Sequence, residues 1–347
     1  LYAGTQRRDD ELSLYLAHLQ RFPEDTRLRH LLVGTYVDAE NLDQAMRQLN
    51  IILDQDSSDA TALRKAGLLS FEMRDWQAAA DYFQQLIMLD QADSQAHYYH
   101  GIALEEGGLW EDALSAFRAV AKESAVFEDA MIHQGYNLHK LERTAEAVDL
   151  LEQNRQLLAS RPEIFDYLSF LYNDLGQQKT ALEVIDAGLK TYPEDNTLLY
   201  RRIVLLEQAG DKTAADHAAR YLLQINPEHT NALNYLAYSY AERNERLDEA
   251  LQMAQKALLS RDEYYIRDTL GWILYRLGRF DDALAQLQRA AEAQPEDPVV
   301  LEHLGDVLQA MGRREEALSA FQKALPVAES ATTKLQNKIE ALSGGKK

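Results

Sequence analysis

Shifted against itself by ~34 residues, this sequence repeats. Units beginning at Thr26, Ala60, Ser94, Glu128, Pro162, Asn196, Thr230, Tyr264 and Pro298 fall into register. The twentieth place of each unit reads Ala45, Ala79, Ala113, Ala147, Ala181, Ala215, Glu249, Ala283 and Ala317, and the exception has Ala250 beside it. The eighth place is mostly small, with Gly67, Gly101, Gly135, Ser169, Ala237, Gly271 and Gly305. Two antiparallel helices approach closest where side chains are minimal, so one small residue on each helix sets a hairpin's spacing. The twenty-fourth place is large and apolar (Leu49, Phe83, Phe117, Leu151, Ile185, Leu287, Phe321) and is expected to fill the gap between one hairpin and the next.

Turn chemistry follows the same period. Gly108, Gly176, Gly210, Gly278 and Gly312 stand where the first helix of a unit must stop, as helix C-cap glycines do. Pro193, Pro227 and Pro295 stand near the end of the second helix, where the chain cannot stay helical. Acidic pairs such as Asp281-Asp282 and Glu315-Glu316 open second helices, at the positive end of the helix dipole. A helix–turn–helix unit of this length is similar to the tetratricopeptide repeat. The expected fold is all-α, a right-handed superhelical solenoid of tetratricopeptide helical hairpins.

On this reading residues 26–331 form nine repeats of 34 residues. Residues 1–25 read as the second helix of a preceding repeat whose first helix lies upstream. Residues 332–347 read as a more polar capping helix and a frayed tail, since a solenoid needs a polar outer face at its end. The unit at Thr230 carries one extra residue in its turn, which places Ala250, Ala254 and Ala257 one position late.

Composition narrows the function classes. Hydrophobic residues make up 46% of 347, with only 16 Gly and 7 Pro, which supports a packed helical core. The formal net charge is −20, from 56 acidic and 36 basic residues. Such a surface repels polyanions, so nucleic acid is not an expected partner. No window approaches the ~18 apolar residues of a membrane span, so no direct membrane insertion is expected of this segment. There is no cysteine, which removes disulfides, thiolate metal sites and cysteine nucleophiles.

Catalytic motifs are missing. HExxH, GxSxG, P-loop and GxGxxG stretches do not occur. His97 and His100 lie three apart on one helix but lack a third ligand, and a zinc site needs more. Glu105-Glu106 and Asp281-Asp282 are adjacent and point to different helix faces, so neither is a facing dyad. No enzyme activity, cofactor or metal is expected.

The first helices of a solenoid line its groove. Their outward face takes the second, fifth, sixth, ninth, twelfth and thirteenth places of each unit. Those places carry Tyr98, Tyr99, Tyr136, Phe170, Tyr200, Tyr235, Tyr238, Trp272 and Tyr275, interleaved with Asn173, Asn231, Asn234, Arg276 and His303. Aromatics beyond what the core needs are the usual anchors of protein interfaces, and Asn can hold an extended peptide backbone. The groove lacks the basic cluster that grips an acidic C-terminal tail.

The stretches from Leu233 to Leu258, Asp268 to Ala290 and His303 to Leu318 carry a closer likeness. Their Tyr/Asn-rich helix, Arg-Leu-Asp-Glu-Ala turn, Leu-Gly-Trp and Tyr-Arg-Leu-Gly resemble a family of proteobacterial tetratricopeptide lipoproteins. That family includes the outer-membrane partner of a periplasmic carboxyl-terminal processing protease. The resemblance implies an adaptor that binds the serine protease and promotes degradation of substrates such as peptidoglycan hydrolases. It also implies a location on the periplasmic side of the outer membrane, anchored by an N-terminal lipid outside this chain. An alternative within the same fold is a scaffold lipoprotein of a pilus, secretion or exopolysaccharide export assembly. A third is the repeat arm of an enzyme, such as a glycosyltransferase, whose catalytic domain lies outside the chain.

Overall fold

The computed structural model describes residues 2–327 and 332–344. Leu1 of the orphan helix, residues 328–331 of the last repeat and Gly345, Lys346 and Lys347 of the tail lie outside the described residues. Among the described residues all regular structure is helical. No described helix is long and apolar enough to cross a membrane.

The chain divides into two compact units, Leu1–Gln177 and Gln178–Lys347. The first unit holds α1 (Tyr2–Arg21), α2 (Thr26–Asp38), α3 (Leu42–Gln55), α4 (Ala60–Glu72), α5 (Trp76–Leu89), α6 (Ser94–Glu106), α7 (Trp110–Arg118), α8 (Phe127–Lys140), α9 (Thr144–Gln153) and α10 (Pro162–Asp174). The second holds α11 (Gln178–Thr191), α12 (Asn196–Gln208), α13 (Lys212–Ile225), α14 (Thr230–Arg243), α15 (Leu247–Ser260), α16 (Tyr264–Arg276), α17 (Phe280–Ala293), α18 (Pro298–Ala310), α19 (Arg314–Ala324) and α20 (Thr332–Ser343). Within each unit, successive helices pack as antiparallel neighbours.

The start of a first helix is fixed chemically. Asp25, Asp59, Asp93, Asp195 and Asp297 each accept a backbone N–H three residues on with a side-chain oxygen. These are N-caps, which satisfy an otherwise orphaned helix donor. In the unit at Thr230 the same service comes from His229, whose Nδ1 accepts from Ala232 N–H at 3.2 Å. The helix expected at Glu128 begins one residue earlier, at Phe127, without a side-chain cap.

The stop is equally regular. The fifteenth place of every unit has a left-handed backbone: Gly108, Gly176, Gly210, Gly278 and Gly312, but also Glu40, Arg74, Glu142 and Asn244. The turn therefore demands the geometry, and glycine is the residue that meets it without steric cost. The extra residue after α14 adds a second left-handed position at Arg246, with φ of 47°. Its guanidinium sits 5.1 Å from the Tyr240 ring, and Nη1 donates to Tyr240 Oη at 2.9 Å. The irregularity is absorbed locally, since α16 starts in phase at Tyr264.

Every twentieth-place alanine is fully buried, from Ala45 to Ala317, as is Ala250. The eighth-place glycines show why larger residues are excluded. A methyl group on Gly67 would come within 2.7 Å of Phe83, one on Gly101 within 2.7 Å of Phe117, and one on Gly271 within 2.6 Å of Leu287. The twenty-fourth-place side chain reaches the next hairpin as expected, Phe83 stacking on Tyr99 and Phe117 on His133, and it also lies over the eighth-place glycine of its own hairpin.

Candidate protein-binding surfaces

In the first unit the outward places of α2, α4 and α6 line an open groove of about 670 Å³. Its floor is apolar: Val37, Leu68, Phe71 and Ile102, with Tyr98 and Tyr99 at one end. Val37 and Leu68 are 42% and 40% exposed, bulky aliphatic side chains at outward places of consecutive units. Gly34 lies in the same groove, and a side chain built on it would meet nothing within 4 Å. The turn-side edge carries Asp38 and Glu72, and Glu106 continues it in the adjoining hollow beside Phe71 and Ile102.

Tyr99 is stacked on Phe83 at 5.3 Å and meets Tyr98 edge-on at 5.4 Å. Burial, and after it the carboxylate of Asp129, pushes the Tyr98 hydroxyl up to about 12. Beyond this groove, Glu105 is buried between α6 and α8. His133 Nδ1 lies 3.0 Å from both its oxygens and Asn137 Nδ2 donates to it at 2.5 Å. Tyr136 meets Trp110 edge-on at 6.0 Å, and the Lys140 ammonium sits 5.2 Å from the Tyr136 ring. Phe170 lies parallel to Tyr167 at 6.2 Å. Asn173 is half-buried, and its Oδ1 and the Tyr167 hydroxyl are buried without a hydrogen-bond partner among the described residues.

The second unit uses the same places differently. Trp272 is only 8% exposed. Its indole N–H donates to Glu242 Oε1 at 2.8 Å. One face stacks on His303 at 4.2 Å and Tyr275 stacks at 4.9 Å, while the Arg276 guanidinium lies 5.6 Å from the ring. Tyr235 donates to Glu207 Oε2 at 2.8 Å, and Asn231 Oδ1 accepts from Tyr265 at 3.2 Å. Tyr238 is largely buried, 6.3 Å from His303, and burial followed by Glu242 raises its hydroxyl pKa. Tyr200 leans on His229 at 5.4 Å. Asn234 alone of these keeps a buried side-chain oxygen, Oδ1, without a partner among the described residues.

His303 closes this cluster. Its Nδ1 lies 2.9 and 3.1 Å from the two oxygens of Asp268. Burial works to lower its pKa, but the carboxylates around it, Asp268 first and then Asp306 and Glu242, together outweigh burial and the net shift is upward. At the far side, Lys338 of α20 donates to Glu302 and Asp306 of α18 at 2.6–2.7 Å. Glu302 is held below the usual glutamate range despite its burial, because Lys334 and Lys338 both reach it.

The residues expected to face a ligand are therefore split. Tyr98 and Tyr99 border an open groove, whereas Trp272, Tyr275, Arg276, Tyr235 and Tyr238 contact one another or neighbouring helices. The aliphatic floor residues Val37, Leu68 and Ile102 are absent from the expected set, which holds aromatic and polar residues at the outward places. Their signal was available, since they occupy the ninth and twelfth places of consecutive units. Of the histidine pair, His97 Nε2 lies 3.0 Å from the Gln91 carbonyl oxygen. Among the described residues no group of three His, Asp or Glu is arranged to hold a metal ion.

A family model described as a tetratricopeptide repeat matches residues 32–97, 66–126 and 269–332. A TPR repeat-containing protein of Pseudomonas aeruginosa is 34% identical over 212 residues, which is 59% of this chain and 35% of that protein. Another, from Methanocaldococcus jannaschii, is 24% identical over 233 residues, 67% of this chain and 36% of that protein. The chain thus spans about a third of the length of the curated relatives it matches. A tetratricopeptide repeat protein from Parabacteroides merdae shares the fold with a TM-score of 0.54 at 16% identity, over 72% of this chain and 98% of that one. Yeast Tom70 does so with a TM-score of 0.51 at 12% identity, over 99% and 93%.

Proposed function

We propose that this tetratricopeptide-repeat protein is an adaptor: it holds a protease and the proteins that the protease degrades, and carries out no chemistry itself. The repeats support a protein-interaction scaffold. The observation that carries the reading is the open groove on α2, α4 and α6, where Val37 and Leu68 stand 42% and 40% exposed. The hairpins do not need these side chains for their own packing, so they are available to a partner.

The protease is proposed from the sequence likeness between Leu233 and Leu318: a carboxyl-terminal processing serine protease of the periplasm, with peptidoglycan hydrolases among its substrates. In this reading the chain lies on the periplasmic side of the outer membrane. The nucleophile belongs to the partner, and this chain contributes binding and proximity, which raise the local concentration of substrate. The test is reconstitution. Adding the purified chain to the protease and a hydrolase substrate should co-purify both and accelerate cleavage. Unchanged cleavage together with no co-purification would falsify the adaptor reading.

Which variants to use follows from the geometry. Replacing Trp272 removes a buried, hydrogen-bonded ring and costs stability as well as binding. Leu68→Ser and Tyr98→Ala probe the open groove with less disturbance of the core.

A further inference from the structure

The groove of the first unit is chemically asymmetric, and this asymmetry specifies an occupant. Its floor is a ladder of apolar side chains from consecutive first helices: Val37 from α2, Leu68 and Phe71 from α4, and Ile102 from α6. Its turn-side edge is a second ladder in the same period, Asp38, Glu72 and Glu106. Glu72 and Glu106 are exposed and make no ion pair among the described residues. The cations beside it are Lys65, turned toward α2, where its ammonium donates to the His30 carbonyl at 3.3 Å, and Arg74, in the hollow that Glu72 and Glu106 share. The ninth place has no side chain at Gly34, which leaves that stretch of the groove open, whereas the next two units carry Leu68 and Ile102 there.

We infer that this groove takes an extended peptide segment in which bulky apolar residues alternate with lysine or arginine. An extended chain sends successive side chains to opposite sides. Apolar residues of such a segment enter the floor while the intervening basic ones stay in water beside the acidic ladder. A basic partner also gains from the field of a chain with a net charge of −20, which favours its encounter at low salt. An acidic apolar segment meets the same floor but is repelled by the edge. This inference rests on the adaptor reading, and names the chemistry of what one of its surfaces holds.

The test uses a fluorescein-labelled peptide alternating leucine and lysine, a counterpart with serine for leucine, and one with glutamate for lysine. The whole chain should bind the first in preference to both others, with an affinity that falls as salt is added. Gly34→Leu adds bulk to the groove lining at an exposed helical site where its Cβ meets nothing within 4 Å. It should weaken binding roughly tenfold with unchanged circular dichroism and melting no lower than that of the wild type, since leucine is the better helix former. Leu68→Ser should weaken binding by removing floor area. Binding that survives both substitutions, or equal binding of the glutamate peptide, overturns the proposal. A wild-type dimer that Gly34→Leu converts to monomer also overturns it, because a second copy is then the occupant. If the chain still captures its protease while no peptide binds, the groove assignment falls and the adaptor reading stands. If neither is captured, both fall.

Discussion

Each repeat turns on a left-handed residue at its fifteenth place, and four of the nine are not glycine. Glu40, Arg74 and Glu142 hold φ between 55° and 61°, a conformation that costs a residue with a Cβ on the order of 1 kcal/mol relative to glycine. Arg74→Gly and Glu142→Gly should each raise stability by about 0.5–1 kcal/mol, read as a higher urea midpoint. Gly278→Ala should lower it. A fall in the midpoint for both glycine variants would mean that their side chains anchor the turn. The twentieth-place alanines and eighth-place glycines were legible in the sequence because they report contacts inside one hairpin, at a constant separation. The fate of Trp272 was not legible. Its place is an outward one, but its indole N–H reaches Glu242, thirty residues earlier on the preceding first helix. Whether an outward ring is open or occupied depends on the length and chemistry of a side chain in another repeat. Leu68 is left 40% exposed and Ile102 is only partly buried, and this difference between units is invisible to a rule based on places alone.

At the level of elements, α16 and α18 are joined by the Asp268–His303 pair at 2.9 Å, under the Trp272 ring. Glu242 and Asp306 also face the imidazole, and each favours its protonated form. His303 has a pKa raised above the ordinary 6.5 in the folded chain, so the native state binds this proton more tightly than the unfolded state. The resulting stabilisation is fully present below that ordinary value and is lost as pH rises through the raised one. Melting of the second unit should therefore fall as the pH is taken from mildly acidic to alkaline, and His303→Gln should flatten that dependence. An identical slope in the variant would place the titration elsewhere. The first-helix boundaries were readable to within a residue even at α8, which has no side-chain cap, because six of the nine starts carry a capping side chain and every first-helix stop is left-handed. The shortness of α7 and α9, nine and ten residues against fourteen in α5 and α17, was not. The twentieth-place alanine sits near the start of the second helix and carries no information about its end.

For the whole molecule, stability in repeat arrays is a sum over neighbouring hairpins, so unfolding in one step is not expected. The tryptophans report this directly, since Trp76 and Trp110 belong to the first unit and Trp272 to the second. In a Trp272→Phe variant, fluorescence follows the first unit while far-ultraviolet circular dichroism follows all helices. The two urea transitions should separate, and coincident curves of equal steepness would show a single cooperative block. The different use of the ninth place in the two units has a consequence for descent. Around Gly34, Leu68 and Ile102, a substitution changes what the surface recognises while the alanines and glycines that build the hairpin are untouched. A lineage can exchange partners there one residue at a time. Around Trp272 the ring is shared by Glu242, His303 and Tyr275, so an altered ring disturbs three neighbours at once and viable change requires several to move together. Relatives of this chain should accordingly diverge in the lining of the first groove while inheriting the tryptophan cluster as a set.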